Sequence, residues 1–494
     1  MPESKRVEGT NTIQYVVLEP GKRLQLDLQP PMQLVSAEQN GKSLKIEHLE
    51  KMHYILLENE QAVGSTQSLK VQFKGTPRVA VNPPWDGGFV WSKHKGGQPF
   101  IANANQGIGS SIWWPCKDHP YDEADSLKLS ITVPKNLTAV GNGRLIDTKT
   151  DKNSKTYVWQ VKNPINNYAV NTNIANYTHF SETYNGEKGK LSLDYYVLPE
   201  NKKKAMEQFK QVPKMMEAFE HWFGPYPFYE DGYKLVEVPY LGMEHQSSVT
   251  YGNGYKNGYK ATDWSKTGWG LKWDFIIIHE SGHEWFANNI TNKDVADMWI
   301  HESFTAYSES LYLDYHFGTE AANAYVQGIR MAIQNDSPII GLYNLDNSGS
   351  SDMYFKGSNM LHTLRQWIND DAKWREILRG LNQEFYHQTV TTQQIEGFIA
   401  EKSGLELEPF FNQYLRTTMV PTLEYRFMEG KLFYRWQNVV EGFAMPIKVT
   451  LNGKEIWLTP STVWNAEKTD SKDTRLQVDK NFYVGEMNNT VIEK

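Results

Sequence analysis

Hydrophobic and polar residues alternate along much of the first part of the chain, which is the pattern of half-buried β-strands. The alternation is clear over residues 24–28, 127–133 and 191–197, and the Asn-Gly pair at 142–143 is a hairpin signal. We therefore expect an N-terminal β-sheet domain over residues 1–197.

From about residue 198 the apolar residues recur at helical spacing instead. In the first helical stretch, over 206–219, Pro213 predicts either a kink or a late helix start. Further helices are predicted at 271–290, 297–317, 320–335, 354–369, 372–386, 392–403 and 407–416. This region, residues 198–418, is expected to form a mostly helical domain with some β structure.

Strand patterns return after Thr422, with hairpin signals at Glu429-Gly430 and Asn452-Gly453. They predict a small C-terminal β-sandwich over residues 419–494. The predicted fold class is therefore multidomain α+β.

Composition agrees with several soluble globular domains, since 494 residues exceed what one hydrophobic core supports. A net charge of −7 without a basic stripe argues against nucleic acid as a partner. No apolar run reaches membrane-spanning length, and the polar N-terminal segment lacks the apolar core of a signal peptide. We expect a soluble protein that is cytoplasmic or, if a signal peptide was removed, periplasmic or secreted. The single Cys116 excludes an intramolecular disulfide and is expected to be a small buried hydrophobe.

An H-E-x-x-H motif at residues 279–283 carries the clearest chemical signal. His279 and His283 are four residues apart, so a helix projects both imidazoles from one face, where they can reach one tetrahedral metal ion. Glu280 would lie near the open position of that metal and could take a proton from a bound water.

A chance match on a surface helix is the alternative, and two features argue against it. Residues 275–278 are strongly apolar, so the helix is expected to be buried, where unpartnered histidines would be costly. Glu302 follows His283 after a gap of 18 residues and offers a third ligand. Glu309 lies seven residues further on the same helical face and is expected either to orient a histidine or to be a solvated or structural carboxylate. The sequence thus predicts a zinc site formed by His279, His283 and Glu302.

With these residues the chain resembles the gluzincin zinc aminopeptidases, the family of aminopeptidase N and leukotriene hydrolase. That family has H-E-x-x-H, eighteen residues, and then N-E-x-F, which is similar to residues 301–304 here. Thermolysin-like gluzincins use a gap one residue longer. Three further strings are similar to family motifs: G-x-M-E-N at 241–245, Y-x-K-G at 354–357 and P-C-x-D at 115–118.

The resemblance implies a saddle-like N-terminal β-sheet domain, a thermolysin-like catalytic domain and one Zn²⁺ per chain. It implies that Glu244 binds the free α-amine of a peptide, which makes an exopeptidase, and that the backbone of Gly242 and Met243 binds extended substrate. It also implies that Tyr354 donates its hydroxyl to the oxyanion and that Gln106 lines the first substrate pocket.

The chain departs from the family at His245, His301, Ser303 and Glu284, where Asn, Asn, Gly and Gln are usual. None of these changes removes a ligand or the base, and the two histidines could tune the pH dependence or be ordinary surface or core residues. The tail is too short for the large C-terminal helical domain of most members, so we expect a three-domain form with a more open cleft.

The function expected from the sequence is zinc-dependent removal of the N-terminal residue from peptides, with Glu280 as general base. Alternatives are a metallo-endopeptidase, a specialised epoxide hydrolase, or a non-catalytic scaffold on the same fold. Glu244 argues against an endopeptidase, and the missing C-terminal domain argues against an epoxide hydrolase. The intact ligands and base argue against a non-catalytic scaffold. The side-chain preference and the oligomeric state stay open.

Overall fold

The structure is a computed structural model that describes residues 2–469 and 475–490. Its elements cluster into two compact units. The first unit comprises Met1–Phe209 and Phe228–Tyr255, and the second comprises Lys210–Pro227 and Lys256–Lys494. The domain boundaries expected at residues 197 and 418 stay a prediction.

The first unit is built almost entirely of strands. In chain order, strands β1 to β20 are Val7–Val16, Arg23–Asp27, Gln33–Gln39, Lys42–Leu49, Met52–Leu56, Thr66–Gly75, Gly88–Lys93, Pro99–Ala104, Glu123–Ala124, Leu127–Pro134, Thr138–Val140, Arg144–Thr150, Ser154–Val161, Ile165–Asn166, Asn173–Ala175, Thr178–Gly186, Gly189–Val197, Tyr233–Glu237, Gly242–Met243 and Val249–Tyr251. Helix α1 spans Lys202–Gln208.

A large antiparallel sheet opens the first unit, with the strand order β1-β6-β3-β4-β5-β2. Burial alternates along β1, as the hydrophobic pattern predicts for a sheet that covers a core on one face. The core under this sheet includes Leu28, Leu69 and Val71, all fully buried.

The last sheet of the first unit contains Gly242 and Met243, from the segment at 241–245 that is similar to the G-x-M-E-N motif. Its strand order is β16-β17-β18-β20-β19, with β17, β18 and β20 parallel to one another and β19 antiparallel to β20. Strand β19, which consists of Gly242 and Met243, therefore lies at the edge of this sheet.

The second unit contains the remaining helices and a strand-rich tail. Helices α2 to α9 are Gln211–Phe223, Phe275–Gly282, Trp299–Phe317, Thr319–Gly328, Phe355–Ile368, Asp371–Glu384, Thr392–Ser403 and Glu408–Arg416. Strands β21 to β29 are Ile290–Asn292, Gln388–Val390, Thr422–Met428, Lys431–Gln437, Ile447–Leu451, Lys454–Leu458, Asn465–Lys468, Leu476–Val478 and Gly485–Asn488.

These elements confirm the α+β class, and the tail folds into two small sheets, β27-β24-β23-β29 and β26-β25-β28. The late start predicted by Pro213 is also confirmed, because α2 begins at Gln211 and the proline lies in its first turn. No helix in the described parts of the chain combines the length and the apolar character needed to cross a bilayer.

The helix predicted over 271–290 is wrong at both ends, since α3 spans only Phe275–Gly282. It starts late because the side chain of Asp274 accepts hydrogen bonds from the first-turn amides of Ile276 and Ile277, at 3.1 and 3.4 Å. It ends early because the amides of Glu284 and Trp285 bond the carbonyls three residues back, at 3.1 Å each, instead of four residues back. Nδ1 of His283 then lies 3.0 Å from the carbonyl oxygen of Phe286. The helix therefore ends at the motif itself.

Candidate metal centre

Helix α3 and helix α4 bring the three predicted metal ligands together. One ligand atom from each of His279, His283 and Glu302 lies within 4.8 Å of the other two. Oε2 of Glu302 is 3.6 Å from Nε2 of His279 and 3.4 Å from Nε2 of His283. All three side chains are buried, which holds the cluster in the interior of the second unit.

The Glu302 carboxylate gives a direct test of whether these residues fit a metal ion. Its Oε2 is buried and accepts no hydrogen bond from any residue that the structure describes. Burial by itself raises the pKa of Glu302, but the neighbouring imidazoles of His283 and His279 lower it well below its usual value. A buried carboxylate oxygen facing two imidazole nitrogens fits a cation, and two histidines with one glutamate form a donor set of catalytic zinc.

The orientation of His279 is set by Glu309. Nδ1 of His279 lies 2.8 Å from Oε1 of Glu309, and the hydroxyl of Tyr325 donates to the other oxygen of that carboxylate at 2.6 Å. A proton held on Nδ1 leaves the Nε2 lone pair pointing at the ligand cluster. Glu309 is buried against a predicted metal ligand and is therefore not a solvated carboxylate, and its role in orienting His279 stays a prediction.

His283 is held in the same way by different groups. Its Nδ1 lies 3.0 Å from the carbonyl oxygen of Phe286 and 3.0 Å from Oγ1 of Thr305. Donation of the Nδ1 proton to the carbonyl directs Nε2 towards Glu302. The Nδ1 atoms of both imidazoles therefore contact protein groups, and both Nε2 atoms face Glu302.

Tyr354 lies beside this cluster, immediately before helix α6. Its ring centroid is 6.1 Å from that of His279, with the ring planes 25° apart. The turn that carries it is tied to helix α4, because Oγ of Ser303 donates to the carbonyl of Met353 at 2.7 Å. Gly357 permits this approach, since a Cβ there would lie 1.9 Å from Oγ of Ser303.

Glu280 differs from the ligands in its exposure. It follows His279 on helix α3 and is partly exposed, whereas the three ligands are buried. A carboxylate at this position can reach a molecule that enters from solvent, as a proton-transferring group must.

In the first unit, the structure brings Glu244 and Gln106 together. Nε2 of Gln106 donates to Oε1 of Glu244 at 2.6 Å, and the hydroxyl of Tyr168 donates to the same oxygen at 3.3 Å. Glu244 directly follows the edge strand formed by Gly242 and Met243 and is only 3% exposed. These two donors fix the position of the carboxylate.

The two unusual histidines lie in the protein interior, in different units. Burial lowers the pKa of His245 to about 3 and that of His301 to about 3, so both are neutral near pH 7. His301 accepts a hydrogen bond from the amide of Asn292 at 2.8 Å, and His245 contacts Oγ1 of Thr250 at 3.3 Å. Both histidines are buried, so the surface positions that the sequence also allowed are excluded, and an effect on the pH dependence stays a prediction.

Sequence reasoning did not identify Tyr168, Tyr325 or Thr305, each of which contacts a predicted site residue. Thr305 lies three residues after Glu302, about one helical turn away, and that spacing could have indicated it. No motif marks Tyr325 or Tyr168.

Two family models match this chain: the Peptidase M1 N-terminal domain at residues 1–169 and the Peptidase family M1 domain at residues 207–414. The chain is 20% identical over 454 residues to probable aminopeptidase 2 of Sulfurisphaera tokodaii, covering 86% of this chain and 54% of that protein. It is 21% identical over 452 residues to the leucyl aminopeptidase of Saccharolobus solfataricus, and this match also covers 86% of this chain and 54% of that protein. The chain thus spans about half the length of the curated relatives it matches.

Among solved structures, a similar fold is found in a mutant M1 zinc metallopeptidase from Deinococcus radiodurans bound to a Tyr-Ser-Ala substrate. The TM-score is 0.70 at 20% identity, and the match covers 84% of this chain and 91% of that chain. At this identity the likeness establishes a shared fold.

Proposed function

Because the chain belongs to the M1 peptidase family, we propose that it is a zinc-dependent aminopeptidase that hydrolyses the first peptide bond of peptides with a free N-terminus. The observation that carries the proposal is the buried Oε2 of Glu302 facing the Nε2 atoms of His279 and His283. These three residues would hold one Zn²⁺ per chain.

The chemistry divides between the ion and the side chains around it. When bound, zinc lowers the pKa of water towards ~7 and polarises a carbonyl group. Glu280 takes a proton from the attacking water and returns it to the leaving amine. The hydroxyl of Tyr354 donates a hydrogen bond to the oxygen on which negative charge develops.

Selection for a free N-terminus is assigned to Glu244. Its carboxylate, held by Gln106 and Tyr168, forms a charge-assisted hydrogen bond with the substrate α-ammonium, which an internal peptide bond does not offer. The edge position of Gly242 and Met243 supports substrate binding as an added strand.

The rival functions make different demands on the same residues. A metallo-endopeptidase has no use for a buried carboxylate that receives an ammonium group, and a scaffold has no need of oriented imidazoles. The hydrogen bonds from His279 to Glu309 and from His283 to Phe286 are features of a working metal site, which supports the enzyme over the scaffold.

The decisive experiment compares leucine 4-nitroanilide with its N-acetyl derivative, with zinc measured on the same sample. We expect hydrolysis of the free substrate only, with loss of activity on chelation. Glu280→Gln should keep its zinc and lose about 10²–10⁴-fold in kcat.

Glu284→Gln is the matched control, because Glu284 lies four residues further on, where it accepts hydrogen bonds from Tyr226 and Asn288. It should retain both zinc and turnover. Equal cleavage of the N-acetyl substrate would refute the exopeptidase assignment, and a zinc-loaded protein without any turnover would favour the scaffold.

A further inference from the structure

Aromatic rings from three segments of the second unit extend outward from the imidazole of His279. Phe275 stacks on that imidazole, with ring centroids 5.0 Å apart and planes 13° from parallel. Tyr259 meets Phe275 at 5.4 Å and Trp264 at 5.6 Å, and Trp264 in turn lies 6.1 Å from Phe355. We call Tyr259, Trp264, Phe275 and Phe355 the aromatic wall.

The aromatic wall is open to solvent, unlike the core of the same unit. Trp264 is 42% exposed, and the other three rings are partly exposed. By contrast, Trp273, which precedes the zinc-motif helix, is fully buried. A continuous, partly exposed run of large rings offers apolar area that a ligand can cover, which a single exposed aromatic residue does not.

The loop that carries Trp264 is held in place by its own hydrogen bonds. Asp263 accepts from the amide of Ser265 at 2.9 Å and from the amide of Gly268 at 2.6 Å. Tyr259 and Thr262 exchange backbone hydrogen bonds of 2.9 Å in each direction. A loop ordered in this way presents its rings to a ligand without a large ordering cost.

The aromatic wall lies on the same side of the site as Glu280. Phe275 lies on helix α3, the helix that carries Glu280, and it stacks on His279, the residue that directly precedes Glu280. Glu280 is the group that returns a proton to the leaving amine in the proposed mechanism. The peptide that leaves therefore begins next to Glu280, on the side where Phe275 and Tyr259 continue outward.

We propose that the aromatic wall is a specificity site for the residue after the scissile bond, and that it selects peptides whose second residue is aromatic or large and aliphatic. This inference rests on the proposed aminopeptidase function. Covering an exposed indole with a phenylalanine side chain removes apolar area from water on both partners and adds a ring–ring contact. One such contact changes specificity by on the order of tenfold.

The test measures kcat/KM for three substrates with the same first residue: leucinamide, Leu-Gly and Leu-Phe. The wild-type protein should prefer Leu-Phe to Leu-Gly by on the order of tenfold or more. Trp264→Ala should lower that ratio about 5–10-fold while leaving leucinamide within about twofold, because leucinamide has no side chain to reach the wall. Trp264→Phe should restore most of the ratio.

Trp457→Ala is the matched control, because Trp457 is 40% exposed and lies on strand β26 of the tail. It should leave the ratio of Leu-Phe to Leu-Gly unchanged. An unaltered ratio in Trp264→Ala, or a wild-type protein that cleaves leucinamide and both dipeptides without preference, would overturn this inference alone. Failure of the zinc-loaded wild type to cleave leucinamide and both dipeptides would overturn the proposed function as well.

Discussion

A methyl group on Gly357 would meet helix α4 at the point where that helix carries the metal ligand Glu302. A Cβ at residue 357 would lie 1.9 Å from Oγ, 2.6 Å from Cβ and 3.4 Å from Cα of Ser303. Rotation of the hydroxyl relieves only the first contact and breaks its 2.7 Å hydrogen bond to Met353. The second contact requires a backbone shift between two buried helices.

The expected cost of Gly357→Ala follows from these contacts. Overpacking of a well-packed interior costs ~1–3 kcal/mol, and the lost hydrogen bond adds ~1 kcal/mol. Alanine itself favours a helix over glycine by ~1 kcal/mol, so the net loss in the free energy of unfolding should be about 1–3 kcal/mol. Because the turn before Tyr354 moves with Met353, kcat should fall more than zinc content.

A double-mutant cycle with Ser303→Gly isolates the collision. Ser303→Gly removes the Oγ and Cβ atoms of residue 303 and leaves its Cα 3.4 Å from the new methyl group. In the Ser303→Gly protein, Gly357→Ala should therefore be neutral or stabilising. Urea unfolding of the four proteins should give a coupling energy of about 1–3 kcal/mol. Gly397→Ala is the control, since Gly397 lies in helix α8 and, apart from its chain neighbours and the nearby backbone of that helix, no described atom comes within 4 Å of the added methyl group. The control should gain ~0.5–1 kcal/mol. A cost of Gly357→Ala that persists in the Ser303→Gly background would refute this reasoning.

Three further outcomes follow from the contacts of individual side chains. Glu309→Gln should weaken zinc binding about 10–100-fold in a chelator competition, because the hydrogen bond that orients His279 loses its charge; unchanged affinity would exclude that role. Burial lowers the pKa of His245 to about 3 from its ordinary 6.5. Below pH 6.5 this histidine is therefore protonated in the unfolded chain but not in the folded one, so the free energy of unfolding falls as the pH drops. His245→Asn should therefore reduce the loss of unfolding free energy between pH 7.5 and pH 5 by about 2 kcal/mol, measured with urea at both pH values. Asp274→Ala should lower the unfolding free energy by ~1–2 kcal/mol through loss of the α3 cap, and a thermal unfolding curve equal to wild type would contradict the capping role.

Helical periodicity alone was enough to predict one part of the site. The spacing of His279 and His283 directs both imidazoles to one side, and the seven residues from Glu302 to Glu309 are two helical turns. The apolar residues before the motif also predicted the burial of helix α3. These features are local and can be predicted from the sequence, because a helix has a fixed rise and rotation from each residue to the next.

The distant groups that complete the site became visible only in the folded protein. Tyr325 reaches Glu309 because helices α4 and α5 pack together, and Ser303 reaches Met353 because Gly357 lets α6 approach α4. The early end of α3 has the same origin, since the carbonyl of Phe286 also accepts a hydrogen bond from Thr305 of helix α4, at 3.4 Å. Such contacts join residues that are far apart in sequence, so they depend on how side chains fill space between elements. Neither sequence repeats nor residue spacing predicts that packing.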